Sequence, residues 1–119
     1  MHMPTSAHLG ATGEQAAADF LTTQGYTVVA RNYRHGRAEI DLIAQQGGKR
    51  LVFVEVKVRS DLRYGFPEQS VTLAQQQRVR RAAEHYLLST NWLADIRFDI
   101  LALTPTTGGF RVEHFEDAF

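Results

Sequence analysis

Leu51-Val52-Phe53-Val54-Glu55-Val56-Lys57-Val58-Arg59 begins as a strand that is apolar on both faces and ends as one that is not. Successive side chains of a strand point to opposite sides of the sheet, so Val52, Val54, Val56 and Val58 share one face. The other face carries Leu51, Phe53, Glu55, Lys57 and Arg59. A strand that opens apolar on both faces is normally covered on both sides. The segment therefore reads as a central strand with layers above and below it, and with charged groups emerging on one face at its end.

The neighbouring segments fit that frame. Ala38-Glu39-Ile40-Asp41-Leu42-Ile43-Ala44 alternates as well, which predicts Ala38, Ile40, Leu42 and Ala44 on one face and Glu39, Asp41 and Ile43 on the other. Gln45-Gln46-Gly47-Gly48 has the length of a hairpin turn, so the two strands are expected to pair antiparallel. Tyr26 to Ala30 reads as an earlier strand. Before it, Leu9, Ala16, Ala17, Phe20 and Leu21 form the stripe of a helix over 9–24, with Ser6 a candidate N-cap and Gly25 the stop.

Downstream, Ser60 to Glu68 contains Gly65 and Pro67 and reads as a loop. Thr72 with Gln75 three residues on has the form of a capping box. It opens a helix whose apolar stripe is Val79, Ala82, Ala83, Tyr86 and Leu87. Ile96 to Leu103 and Phe110 to Phe115 read as two strands around the Gly108-Gly109 turn. The order is helix, three strands, helix, two strands. It predicts an α/β fold, a mixed β-sheet flanked by α-helices, in one domain over 1–119 with 1–7 as a loose start.

Composition narrows the chemistry. The chain has 119 residues and no cysteine, which excludes a disulfide scaffold, a zinc knuckle and a thiol nucleophile. No apolar run approaches the ~18 residues of a membrane span, and no secretory signal is apparent at the start, so a cytoplasmic protein without a membrane partner is expected. Formal net charge is zero. The charge is unevenly spread, however, with eleven basic against five acidic residues between Arg31 and Arg81 and acidic excess at both ends. Such a basic middle suits a nucleic-acid partner, and an ordinary solvated surface is the competing reading.

Polar groups stand where a packed strand would take apolar ones. Glu55 and Lys57 lie side by side on one face, roughly 7 Å apart. The antiparallel neighbour offers Asp41, with Glu39 two residues before it. If the register brings Asp41 beside Glu55, two carboxylates and an ammonium converge at the end of a buried strand. Two such carboxylates repel unless a cation joins them, and the oxygen donors suit Mg²⁺ or Mn²⁺. Glu14, three residues before Ala17 and seven before Leu21, is expected to point from the first helix toward the sheet. The competing reading of Glu55 and Lys57 is an exposed salt bridge of little energetic value.

These residues carry a resemblance. Gly13-Glu14, Gly25-Tyr26, Arg31-Asn32-Tyr33-Arg34, Glu39 to Ala44, Val52 to Arg59, Tyr64-Gly65, Ser70-Val71-Thr72 and Arg97-Phe98-Asp99 together resemble the YraN-like family of small bacterial proteins. That family belongs to the PD-(D/E)xK nuclease superfamily and is similar to the archaeal Holliday junction resolvases. The resemblance covers the chain from about Leu9 to Phe119 and implies a restriction-endonuclease-like core. It implies Asp41 and Glu55 as metal-binding carboxylates, the Val56 backbone carbonyl as a further ligand for Mg²⁺ or Mn²⁺, and Lys57 as the group that orients the attacking water. Glu14 would complete the site from the helix. Gln75 stands where family members often carry lysine.

Arg59, Arg63, Arg78 and Arg81, with Gln75, are the candidate nucleic-acid contacts. Two functions follow as expectations. The first is a metal-dependent endonuclease that hydrolyses DNA phosphodiester bonds, DNA being favoured over RNA and a branched structure being the expected substrate. The alternative is a module that grips nucleic acid or a protein partner without cutting. A homodimer is expected by analogy with the resolvases alone. Asp99 is expected to be a structural anchor for Arg97 or another strand, and Trp92 a packing residue. His35, His85 and His114 suggest no relay.

Overall fold

The computed structural model describes residues 6–59 and 71–119, the side chains of the first six of these excepted. The element order is α1 (Ser6–Thr23), β1 (Thr27–His35), β2 (Ala38–Gln46), β3 (Arg50–Val58), α2 (Leu73–Thr90), β4 (Asp95–Thr106) and β5 (Gly109–Phe115). The expected loop at Ser60 to Glu68, with Arg63, lies outside the described residues. The five strands form one sheet in the order β1-β2-β3-β4-β5. β2 and β3 pair antiparallel as a hairpin, whereas β3 and β4 run parallel with α2 in the crossover between them. The sheet is mixed, as expected.

Each helix covers one side. Ala17, Ala18 and Leu21 of α1 pack on Leu42, Ala44, Val52, Val54, Leu101 and Leu103. Val79, Ala82 and Ala83 of α2 pack on Ala38, Ile40, Ile43, Leu51, Phe53 and Phe98. β3 is the strand sandwiched between the two cores, which is why its first five positions after Arg50 are all buried. Gly13 lets α1 approach closely, because a Cβ there would lie 2.6 Å from Val58 Cγ2. Gly25, at φ +93°, ends α1, and the Tyr26 amide closes on the Leu21 carbonyl at 2.9 Å. Thr72 caps α2 by accepting from the Gln75 amide at 3.1 Å, and Asn91 in the left-handed region ends it. No helix of the described residues is long and apolar enough to cross a membrane.

Strict alternation fails in β2. Ala38 and Ile40 face α2, but Leu42 and Ala44 face α1, so the four do not share a face as the sequence predicts. The phase slips at Asp41. The opposite position of β1 is Asn32, which takes φ 51° between the pairs Arg31↔Leu42 and Tyr33↔Ile40. Asparagine is among the non-glycine residues that tolerate this region best. Both strands are distorted at one level, and side-chain phase is lost where the backbone ladder is interrupted. β1 also runs on to His35, five residues beyond the expected end. Arg31 to His35 is polar because β1 is an edge strand with mainly Tyr33 turned inward.

Candidate functional site

The β2–β3 ladder ends at the pair Leu42↔Val54. One step further, Asp41 and Glu55 stand opposite each other with no backbone pairing between them. The Asp41 carboxylate takes over the lost bond, its Oδ2 accepting from the Val56 amide at 2.7 Å. Glu55 continues the face of Leu51 and Phe53 and is therefore carried under the first turns of α2. It is 4% exposed. Among the described residues its buried Oε1 has no hydrogen-bond partner.

Asp41, Glu55, Val56 and Lys57 open into a cleft of about 370 Å³, closed by Arg37 and Glu39 at the start of β2 and by Gln75, Arg78 and Val79 of α2. Burial raises the Asp41 carboxyl to about 6, against the pull of the Val56 amide, and the charge of Glu14 adds to the rise. Burial, then the charge of Asp41, raises Glu55 to about 8, with Lys57 opposing. At neutral pH the pair therefore holds about one proton between its two carboxyls.

The sequence-predicted residues are partly brought together. Asp41, Glu55, Val56, Lys57, Gln75 and Arg78 line the cleft. Glu14, half-buried on α1, does not line it but is near enough for its charge to act on Asp41. Arg59 does not line the cleft; its backbone amide donates to the Leu103 carbonyl at 2.9 Å, continuing the β3–β4 pairing. Arg81 borders an adjoining hollow instead. Arg37 went unread in the sequence, since it becomes a cleft residue only once α2 docks opposite the β1–β2 turn.

Asp99 meets its expectation and more. It is fully buried, and both oxygens are taken: Arg97 Nε and Nη2 donate at 2.8 and 2.7 Å, and the Asp117 amide donates at 3.0 Å. His114 Nε2 lies 2.7 Å from Oδ2. Arg97 also donates to the Tyr26 hydroxyl at 2.8 Å. His114, read in the sequence only as part of no relay, reaches Asp99 because β5 pairs beside β4. Trp92 packs against the α2-side core and donates to the Asp95 carbonyl at 3.1 Å, a packing role as expected.

Residues 13–103 match the family described as "Uncharacterised protein family UPF0102". The chain belongs to the UPF0102 family. A UPF0102 protein of Symbiobacterium thermophilum is 47% identical over 96% of this chain and 98% of its own length. One from Chlorobium limicola is 44% identical over 99% of this chain and 95% of its own. A third, from Bacteroides fragilis, is 40% identical over 93% of this chain and 91% of its own. In this UPF0102 chain the matched span runs from Gly13 to Leu103 and so contains Glu14, Asp41, Glu55 and Lys57.

The donor chemistry of the cleft fits a hard divalent cation. With both carboxyls ionised, an unpartnered buried carboxylate oxygen beside a second carboxylate is costly without one. Among the described residues no three or more His, Asp or Glu side chains are gathered closely enough to hold a metal ion, and the cleft offers the two carboxylates Asp41 and Glu55 side by side with the more distant Glu39.

The raised carboxyls make a pH prediction for the metal-free protein. A carboxyl whose folded pKa lies above its unfolded value gives stability that is complete below the unfolded pKa and is lost as pH rises through the folded one. For Glu55 that window runs from the ordinary value of 4.5 to about 8. Its contribution is on the order of a few kcal/mol. In thermal melts in EDTA, Glu55→Gln is expected to flatten the decline across this window and to melt several degrees above wild type at its alkaline end. A variant as pH-sensitive as wild type would place the strain in another group.

Proposed function

We propose that this protein is a metal-dependent nuclease that hydrolyses phosphodiester bonds of DNA at the Asp41–Glu55–Lys57 cleft. The observation that carries the reading is the buried Glu55 carboxylate, with one oxygen unpartnered, set beside Asp41 and Lys57 at the point where two strands part. Its sequence counterpart is the resemblance to the PD-(D/E)xK nucleases, which also argues for a branched DNA substrate. Asp41 and Glu55 would hold the ion, with the Val56 carbonyl as the added ligand the resemblance implies. When bound there, Mg²⁺ or Mn²⁺ supplies Lewis-acid charge for the phosphate and the attacking water.

The chain's own groups have separate tasks. Lys57 places a positive charge in the field of both carboxylates and orients the water or a phosphate oxygen. Arg78 and Gln75 of α2, with Arg37, face the same space and hold the backbone of the strand. Asp41 keeps its place through the Val56 amide, so its carboxylate is pre-oriented before anything binds.

The test is a cleavage panel of duplex, single-stranded, flap and four-way-junction DNA, with RNA counterparts, in Mg²⁺, Mn²⁺ or EDTA. Cleavage with metal and none in EDTA is the expected result. Binding and saturable metal stabilisation without cleavage would favour a non-cutting module on the same fold. Lys57→Ala separates the two further. It is expected to retain metal-dependent stabilisation, because lysine is no ligand, while the cleavage rate falls on the order of 10²-fold. Equal loss of stabilisation and rate would make Lys57 a structural support of the carboxylate pair.

A further inference from the structure

Beside the carboxylate cleft lies a second hollow of about 330 Å³, lined by His35, Gly36, Arg37, Ala38, Arg78 and Arg81. Arg37 and Arg78 line both spaces, so the two adjoin. Their charge differs. The cleft mixes Glu39, Asp41 and Glu55 with its cations, whereas among the described residues the hollow is lined by three guanidiniums and no carboxylate. All three arginines are exposed, and among the described residues none of them is ion-paired. A phosphate is therefore held better in the hollow than in the acidic cleft next to it.

The hollow also has an aromatic wall. The His35 ring is stacked on that of His85 at 3.9 Å between centroids and 15° between planes. His85 is fixed in turn by a hydrogen bond with the Tyr33 hydroxyl. The imidazole bordering the hollow is thus braced across two elements, β1 and α2. Planar rings beside guanidiniums are the combination that seats unpaired bases on protein surfaces. The volume lies at the small end of the ~300–1,000 Å³ range of ligand pockets, room for one nucleotide unit.

We propose that this hollow seats one unpaired nucleotide of the substrate strand, its phosphate on Arg37, Arg78 and Arg81 and its base against His35. The inference rests on the nucleic-acid reading of the adjoining cleft and adds a substrate class: a strand that is single next to the bond being cut. The strand would leave the cleft past the Gly36-Arg37 turn, between the β1–β2 hairpin and α2.

The experiment is fluorescence anisotropy in EDTA with a labelled single strand and a blunt duplex of equal length, over a salt series. Wild type is expected to bind the single strand about fivefold or more tighter than the duplex. His35→Ala should remove most of that preference, and His35→Phe should restore it. Arg81→Gln should weaken both and lower the slope of log affinity against log salt by about one. Arg111→Gln, on the far edge strand, should leave both readouts unchanged. Equal binding of the two DNAs by wild type, or a preference that survives His35→Ala, overturns the inference. Thermal stabilisation by Mn²⁺ alone, measured in parallel, reports on the carboxylate pair without nucleic acid. If it persists while the single-strand preference is absent, the nucleotide seat is overturned and the carboxylate pair stands.

Discussion

Asp41→Asn is expected to abolish stabilisation by Mg²⁺ or Mn²⁺ and to lower DNA cleavage on the order of 10³-fold. The substitution keeps the size of the side chain, and an amide oxygen can still accept from the Val56 amide, as Oδ2 now does at 2.7 Å. What it removes is the negative charge. That charge is half of the proposed donor pair for a divalent ion, and it is also the second cause, after burial, of the raised Glu55 carboxyl. Two consequences of opposite sign follow. Metal affinity and rate should fall together, while the metal-free protein should melt no lower than wild type at alkaline pH, because a buried like-charge repulsion is gone. DNA binding in EDTA should persist or strengthen, since a charge that repels phosphate is lost. Melts with and without metal, the cleavage assay and a DNA titration in EDTA, run on one preparation, check these outcomes. Undiminished cleavage by the purified variant would assign the activity to another site.

Asp99→Ala should produce the largest loss of stability, about 3–5 kcal/mol, from the cost of leaving a buried charge without its partner. Asp99 is fully buried and satisfies Arg97, His114 and the Asp117 amide at once. Burial alone would raise its carboxyl, but the bonds from His114, Arg97 and Asp117 outweigh that and hold it below the ordinary value. The Arg97 guanidinium is bound most strongly by the same carboxylate and is held above its ordinary value. The alanine variant would leave Arg97, whose side chain is only 10% exposed, with the Tyr26 hydroxyl and the exposed Glu116 carboxylate at 3.6 Å in place of its buried two-oxygen partner. For a lowered carboxyl the linkage runs opposite to that of Glu55: its stability is present above the unfolded pKa and is lost as pH falls through the folded one. Urea unfolding at neutral pH should therefore show the full deficit, and the gap to wild type should narrow in acid. Because this network lies on the α1 side of the sheet, away from the cleft, metal stabilisation should survive in whatever fraction remains folded.

Much of this was readable from the residues. Alternation in Leu51 to Arg59 placed valines on one face and Glu55 with Lys57 on the other, and β3 has that arrangement. Gln45 to Gly48 announced the antiparallel hairpin, and Thr72 the start of α2. These signals are local: a strand has a period of two, a cap acts within three residues, and a tight turn needs its glycine. The same rule misplaced Ala38 and Ile40 relative to Leu42 and Ala44, because period-two counting holds only while the ladder is unbroken. The slip at Asp41 depends on Asn32 of β1 and Val56 of β3, which lie 9 and 15 residues away in the chain.

The chain by itself determined a mixed α/β sheet with a helix on either side, and an acid pair with a lysine at the end of its central strand. Only the tertiary structure decided how those acids sit. Their elevated carboxyls arise from burial beneath α2, a helix that begins fifteen residues after β3 ends, and from the mutual approach of two strands that have stopped pairing. The partnership of Asp99 with His114 and the joining of Arg37 to Arg78 and Arg81 are likewise decided by which strand lies next to which and where each helix docks. Period, caps and turns are set over a few residues. Desolvation and charge proximity are summed over every element that packs around a group, and no short window of sequence holds that sum.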